Sequence, residues 1–211
     1  MTYCVGLMLD RGLVLMSDTR TNSGVDNIST FRKMNHWSVP GERIVAIMTA
    51  GNLATTQTVI SLLEERTKAP EERHNTLLEA PTMFQIASLI RGMAPRLFLI
   101  YPEGNFIEAS VDTPFFQIGE TKYGRPIIIR AYDRTMSFED AVKLLMVSFD
   151  STLKANLSVG LPLDLLVIER DRFEPLHSGR ITETDPYFRA ISSGWGNALK
   201  SAFHSLPDYS F

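Results

Sequence analysis

The first fifty residues change direction without changing period, and this limits the folds open to the chain more than any other feature. Thr2 to Leu9 is an apolar, β-favouring run that ends in Asp10-Arg11-Gly12, and Leu13 to Met16 follows as a second, the pattern of a hairpin. A polar, glycine-containing stretch, Thr19 to Ser29, leads to a third strand-like segment, Phe31 to Val39. The turn Pro40-Gly41-Glu42 and a fourth apolar run, Arg43 to Ala50, come next. At Ala50-Gly51 the period switches from two to 3.6: Leu53, Gln57, Ile60 and Leu63 advance by four, three and three residues. Strands massed ahead of the first helix exclude strict βαβ alternation and predict an α+β fold built in layers.

The later segments keep to this plan. A second helix is expected over Thr82 to Gly92, stopped by Pro95, and short strands over Leu97 to Tyr101, Phe106 to Val111 and Phe115 to Ile118. Ser137 stands three residues before Asp140, as in a capping box. It opens a helix to about Leu153, with Phe138, Val142, Leu145 and Phe149 on one face. Leu161 to Ile168 and Glu174 to Arg180 read as two more strands, and Asp185 to His204 as a terminal helix interrupted at Gly194-Trp195-Gly196. With 211 residues, 44% hydrophobic, and no repeat or linker, residues 1–211 read as one domain.

Several chemistries are unsupported. The charges sum to −3 (21 Lys and Arg against 24 Asp and Glu) without a basic stripe, so no nucleic-acid partner is expected. Cys4 is the sole cysteine and cannot pair internally, and no apolar run approaches the roughly 20 residues that span a bilayer. A cytoplasmic protein without membrane contact is the expectation. The four histidines, His36, His74, His177 and His204, lie apart in sequence, so no metal site is expected. No phosphate-cradling or nucleophile-elbow motif occurs, and no cofactor is called for. Ser151-Thr152-Leu153-Lys154 matches a serine–lysine spacing but lacks its companion motifs, and reads as the polar face of a helix.

Thr2 carries the sharper signal. Its side chain is small enough for an aminopeptidase to remove Met1, which leaves one residue with both a hydroxyl and a free α-amine. An α-amine has an unperturbed pKa of about 7.7 to 8.0, so near neutrality its free base can take the hydroxyl proton, whereas a lysine near 10.4 mostly cannot.

Ser17-Asp18-Thr19-Arg20 after the hairpin, Phe31-Arg32-Lys33, Ala50-Gly51-Asn52-Leu53-Ala54-Thr55-Thr56-Gln57 at the first helix, and Ile118-Gly119-Glu120-Thr121-Lys122-Tyr123-Gly124 surround that start. With Thr2 they make the chain similar to the proteasome β-subunits, threonine-type N-terminal-nucleophile hydrolases, and within them to the bacterial Anbu branch. The resemblance implies a four-layer αββα sandwich of two antiparallel sheets flanked by helices. It implies Thr2 as nucleophile, Lys33 and Asp18 as its electrostatic partners and Gly51 as oxyanion donor. Thr21, Phe31, Thr49 and Leu53 would line the substrate pocket. Glu120 stands where β-subunits usually have serine, and Ser158, within Ala155 to Gly160, corresponds to a serine that supports the terminal amine.

The resemblance further implies a peptide or protein substrate and self-assembly into a ring or open spiral. Two other readings stay open: a scaffold of the same fold with little hydrolytic activity, and amide transfer, in which an amine replaces water as acyl acceptor.

Overall fold

A computed structural model describes residues 1–22, 28–68 and 95–211. The helix expected over Thr82 to Gly92 lies outside them. The two runs that open the chain are β1 (Tyr3–Leu9) and β2 (Gly12–Asp18), a tight antiparallel hairpin in which Leu9 faces Gly12 and Cys4 faces Ser17. Both strands are buried along their whole length, which explains their nearly continuous hydrophobicity: each has a packed layer on both faces. They are followed by the short antiparallel pair β3 (Arg20–Asn22) and β4 (Ile28–Thr30), and then by β5 (Met34–Val39) paired with β6 (Arg43–Met48). After helix α1 (Leu53–Lys68) come β7 (Phe98–Ile100), paired with β8 (Phe106–Glu108), and β9 (Phe115–Gly119). The chain closes with α2 (Arg125–Ala131), α3 (Phe138–Ala155), β10 (Leu163–Glu169), β11 (His177–Ile181) and α4 (Pro186–His204).

One five-stranded sheet, ordered β11-β10-β2-β1-β9 and antiparallel throughout, forms the centre. Alternation along its strands sends Tyr3, Val5, Leu7, Val14, Met16 and Leu163 to one face. There they pack with Ile128 of α2, Leu144, Leu145 and Phe149 of α3, and Phe188 of α4. The opposite face presents Met8, Leu13, Leu15, Phe116, Leu166 and Ile168 to Met34, Ile44, Ala46, Met48, Leu97 and Leu99, so β5, β6 and β7 form the next layer. The architecture is α+β, as expected. Its second strand layer is built from two-stranded ladders among the described residues.

Local signals explain the helix starts. Asn52 Oδ1 accepts the N–H groups of Ala54 and Thr55 at 2.8 and 3.3 Å ahead of α1, Ser137 Oγ accepts Asp140 N–H at 3.0 Å, and Asp185 Oδ1 accepts Phe188 N–H at 2.8 Å. Three expectations are corrected. The half-buried face of α1 is Leu53, Thr56, Ile60 and Leu63, with Gln57 exposed. The helix α2 was not expected; seven residues are too few to show a period. The break at Gly194-Trp195-Gly196 does not occur, and α4 runs unbroken from Pro186 to His204. Each glycine costs only about 1 kcal/mol relative to alanine, which a 19-residue helix anchored by Phe188 and Ile191 on the core absorbs.

Candidate active site

Where β2 leaves the central sheet, Asp18 turns its carboxylate to the start of β1. Its Oδ1 accepts the Tyr3 backbone N–H at 2.8 Å and its Oδ2 the Arg20 N–H at 3.2 Å. Lys33 sits just before β5 and not within it as the pattern suggests, although its carbonyl accepts the Thr49 N–H at 3.0 Å and so carries the β5–β6 register one residue past the ladder. The Lys33 Nζ lies 2.8 Å from Asp18 Oδ1, 2.6 Å from the Arg20 carbonyl oxygen and 3.1 Å from the Met1 carbonyl oxygen. Three acceptors match the three N–H donors of an ammonium. Both side chains are sequestered, with relative exposures of 6% for Lys33 and 0% for Asp18. Burial pushes the Asp18 carboxyl above its ordinary range; the Lys33 ammonium and the N–H groups of Tyr3 and Gly160 offset this only in part.

Thr2 is also buried. Its carbonyl oxygen accepts the Glu120 N–H at 2.6 Å, which pins the chain start to the end of β9. Gly119 makes this possible. Its φ is +82°, and a Cβ there would lie 2.1 Å from the Thr2 carbonyl oxygen. Tyr3, next along, is buried against the Phe149 ring at 4.3 Å, and its hydroxyl meets Ser148 Oγ at 2.7 Å and Gln117 Nε2 at 2.8 Å. Burial foremost pushes the Tyr3 phenol up to about 12, so it is a structural anchor and not an acid for neutral pH. The Cys4 thiol is also raised by burial and is inert.

A cavity of about 380 Å³ opens over this corner. Thr2, Lys33 and Gly51 line it, as do all four residues expected to meet substrate: Thr21, Phe31, Thr49 and Leu53. Asp18 stands behind Lys33. Gly51 has φ of +111°, a conformation that favours glycine, and no hydrogen bond within the described residues occupies its N–H. The α1 N-terminus two residues on adds a positive partial charge to this wall.

Ser158 is not brought into the cavity; its backbone N–H bonds Asn156 Oδ1 at 2.9 Å. Asn156, the C-cap of α3, is the residue of that segment that reaches the chain start, with its Nδ2 2.9 Å from Glu120 Oε2 and 3.5 Å from the Met1 sulfur. Sequence reasoning gave Asn156 no role, because nothing local signals that a helix end meets a strand end 36 residues away. The serine–lysine pair of α3 is dispersed, with Lys154 Nζ on Asp150 Oδ2 at 2.7 Å and Ser192 Oγ at 3.1 Å. Among the described residues no group of three or more potential metal ligands gathers, and no helix is long and apolar enough to cross a membrane.

No family model matches the chain. Two curated proteins set the distant relationship. A proteasome subunit beta of Methanopyrus kandleri is 24% identical over 190 residues, 81% of this chain and 88% of that protein. Proteasome subunit beta 2 of Pyrobaculum calidifontis is 26% identical over 186. Solved structures stand much nearer. The Gly-1 mutant of Anbu from Hyphomicrobium sp. strain MC1 is 46% identical with a TM-score of 0.92, covering all of both chains. Anbu, the ancestral beta-subunit, from Yersinia bercovieri is 43% identical over 99% of this chain and 100% of its own, with a TM-score of 0.90. With full-length coverage at such identity, this chain belongs to the Anbu family, the ancestral β-subunits of proteasome-like fold.

Proposed function

We propose that the protein is a threonine-type N-terminal-nucleophile hydrolase of peptide or other amide bonds, active once Met1 has been removed. One observation carries the reading: the Lys33 ammonium is fixed between Asp18 and the Arg20 carbonyl, with its third donor on the Met1 carbonyl, in a cavity that Thr2 and Gly51 also line. Loss of Met1 releases that third N–H at the Thr2 residue itself. The Thr2 α-amine then takes the Oγ proton as Oγ attacks the substrate carbonyl, and the Lys33 charge lowers the cost of the developing alkoxide. Gly51 N–H receives the oxyanion. The amine passes its proton to the leaving nitrogen, leaving an ester on Thr2. Water gives a proton to the amine, adds to the ester carbonyl as hydroxide and releases the acid, restoring the hydroxyl. No cofactor enters these steps.

Anbu from Pseudomonas aeruginosa, 40% identical over 99% of this chain, forms a helical assembly, and self-association into an open spiral is the corresponding proposal here. The absence of Ser158 from the cavity favours a second reading, a self-assembling scaffold with weak activity. A peptide epoxyketone separates the two, because its ring closure needs the hydroxyl and the adjacent amine together. The expected result, read by mass spectrometry on protein that begins at Thr2, is one adduct on Thr2 and none in Thr2→Ala. Unmodified Thr2 at saturating reagent overturns the hydrolase.

A further inference from the structure

At the end of β9 remote from Thr2, where Phe115 faces Leu7, a second cavity of about 310 Å³ opens beside α2. Its apolar surface comes from Phe115, Ile129 and Tyr132. The Phe115 and Tyr132 rings stand 6.0 Å apart, the Tyr132 hydroxyl donates to the Met8 carbonyl, and Ile129 is 59% exposed. Arg125 lays its guanidinium carbon 5.6 Å from the centre of the Phe115 ring, and among the described residues it forms no ion pair. A guanidinium stacked on a ring keeps its N–H edge free for a carboxylate. Asp112 also borders the cavity, which suits a ligand with one carboxylate among apolar groups and disfavours a strongly acidic one.

The segment that follows α4 carries a ligand of this kind. Leu206, Tyr209 and Phe211 are largely exposed, and the Tyr209 and Phe211 rings meet edge to face at 5.2 Å. Large apolar side chains gathered in water mark an interaction segment. Asp208 stands beside them, without an ion pair among the described residues. Within one chain the two features stay apart, since these side chains are exposed and none of them lines the cavity. We infer that residues 206–211 of one copy dock in the cavity between β9 and α2 of a second copy, with Tyr209 and Phe211 against Phe115, Ile129 and Tyr132, and Asp208 on Arg125. Segment and cavity are different surfaces, so the contact is head-to-tail. Contacts of that type build an open spiral unless the rotation closes a ring. The inference rests on the self-association proposed above and names a contact that carries it.

Two measurements on the full chain test it. In sedimentation velocity the double variant Tyr209→Ala, Phe211→Ala and the cavity variant Ile129→Asp, all at exposed positions, are each expected to form shorter assemblies than the parent. Mixed together they regain one contact, the intact segment of the cavity variant on the intact cavity of the double variant, so a tagged copy of either captures the other. In fluorescence anisotropy a labelled, end-blocked peptide of residues 205–211 is expected to bind the double variant saturably, and adding Ile129→Asp weakens it by about tenfold or more. Adding Arg125→Glu instead is expected to weaken the parent peptide and to favour the peptide carrying Asp208→Arg. A scrambled peptide that binds equally well, or affinity indifferent to both cavity substitutions, overturns the inference. Assemblies of unchanged length in both variants overturn it while leaving self-association standing. Specific peptide binding by protein that never assembles upholds the docking chemistry and overturns the spiral.

Discussion

At the scale of single residues the central object is the ion pair Lys33–Asp18, because neither partner has water to fall back on. Removing one partner of a buried pair leaves a charge without compensation and typically costs about 3–5 kcal/mol. Asp18→Ala is therefore expected to lower unfolding free energy by roughly that much in urea titration and to abolish epoxyketone labelling. A loss below about 1 kcal/mol is what a solvated surface pair would give and contradicts the burial. The acid side of the pH profile has a sign fixed by the same residue. Since the Asp18 carboxyl is raised, falling pH neutralises it before it would an exposed aspartate, so activity is lost above the ordinary value of 3.8. Thr2 was singled out by its own chemistry behind Met1, while Asp18, Lys33 and Gly51 were named through the family resemblance, and the structure brings Thr2, Lys33 and Gly51 to one cavity with Asp18 behind Lys33. The contacts of Asn156 and the seating of Glu120 were not legible in the sequence, because both depend on where a strand end and a helix end meet.

Among the elements, β9 acts through its last residue. Gly119 ends the strand in a backbone conformation that a side chain rarely adopts, with the Thr2 carbonyl where a Cβ would go. Gly119→Ala is expected to displace the chain start, lose epoxyketone labelling and destabilise by more than about 1 kcal/mol, measured by the same titration. Retention of both properties would show that β9 does not set the position of Thr2. Helix starts were otherwise readable where a cap or a long period marked them: Ser137 caps its helix as its side chain predicts, and the structure adds Asn52 and Asp185 as the caps of two others. The boundary ahead of β5 misled because Phe31 to Lys33 has the composition of the strand, and composition does not mark where the pairing of a ladder begins. The unbroken α4 misled for another reason: packing of Phe188 and Ile191 outweighs two glycines.

For the whole molecule, the layers separate two roles. The hairpin at the centre of the sheet, sealed on both faces, fixes Thr2 and Asp18, while the β5–β6 layer brings Lys33 and, through the turn into α1, Gly51. Assembly is expected to be independent of the nucleophile: Thr2→Ala should form the same open spiral as the parent protein in electron micrographs and the same sedimentation profile. Dispersed subunits in that variant would tie association to the active corner. Most of the order of strands and helices, the α+β class and the small hydroxyl residue behind Met1 follow from the chain alone, because hydrophobic period and residue identity are local properties. That Lys33 has all three donors occupied, and that no hydrogen bond among the described residues takes the Gly51 N–H, were decided by tertiary structure. Hydrogen-bond saturation and burial are properties of what surrounds a group, and for Lys33 those surroundings are Met1, Asp18 and Arg20, brought in from 13 to 32 residues away.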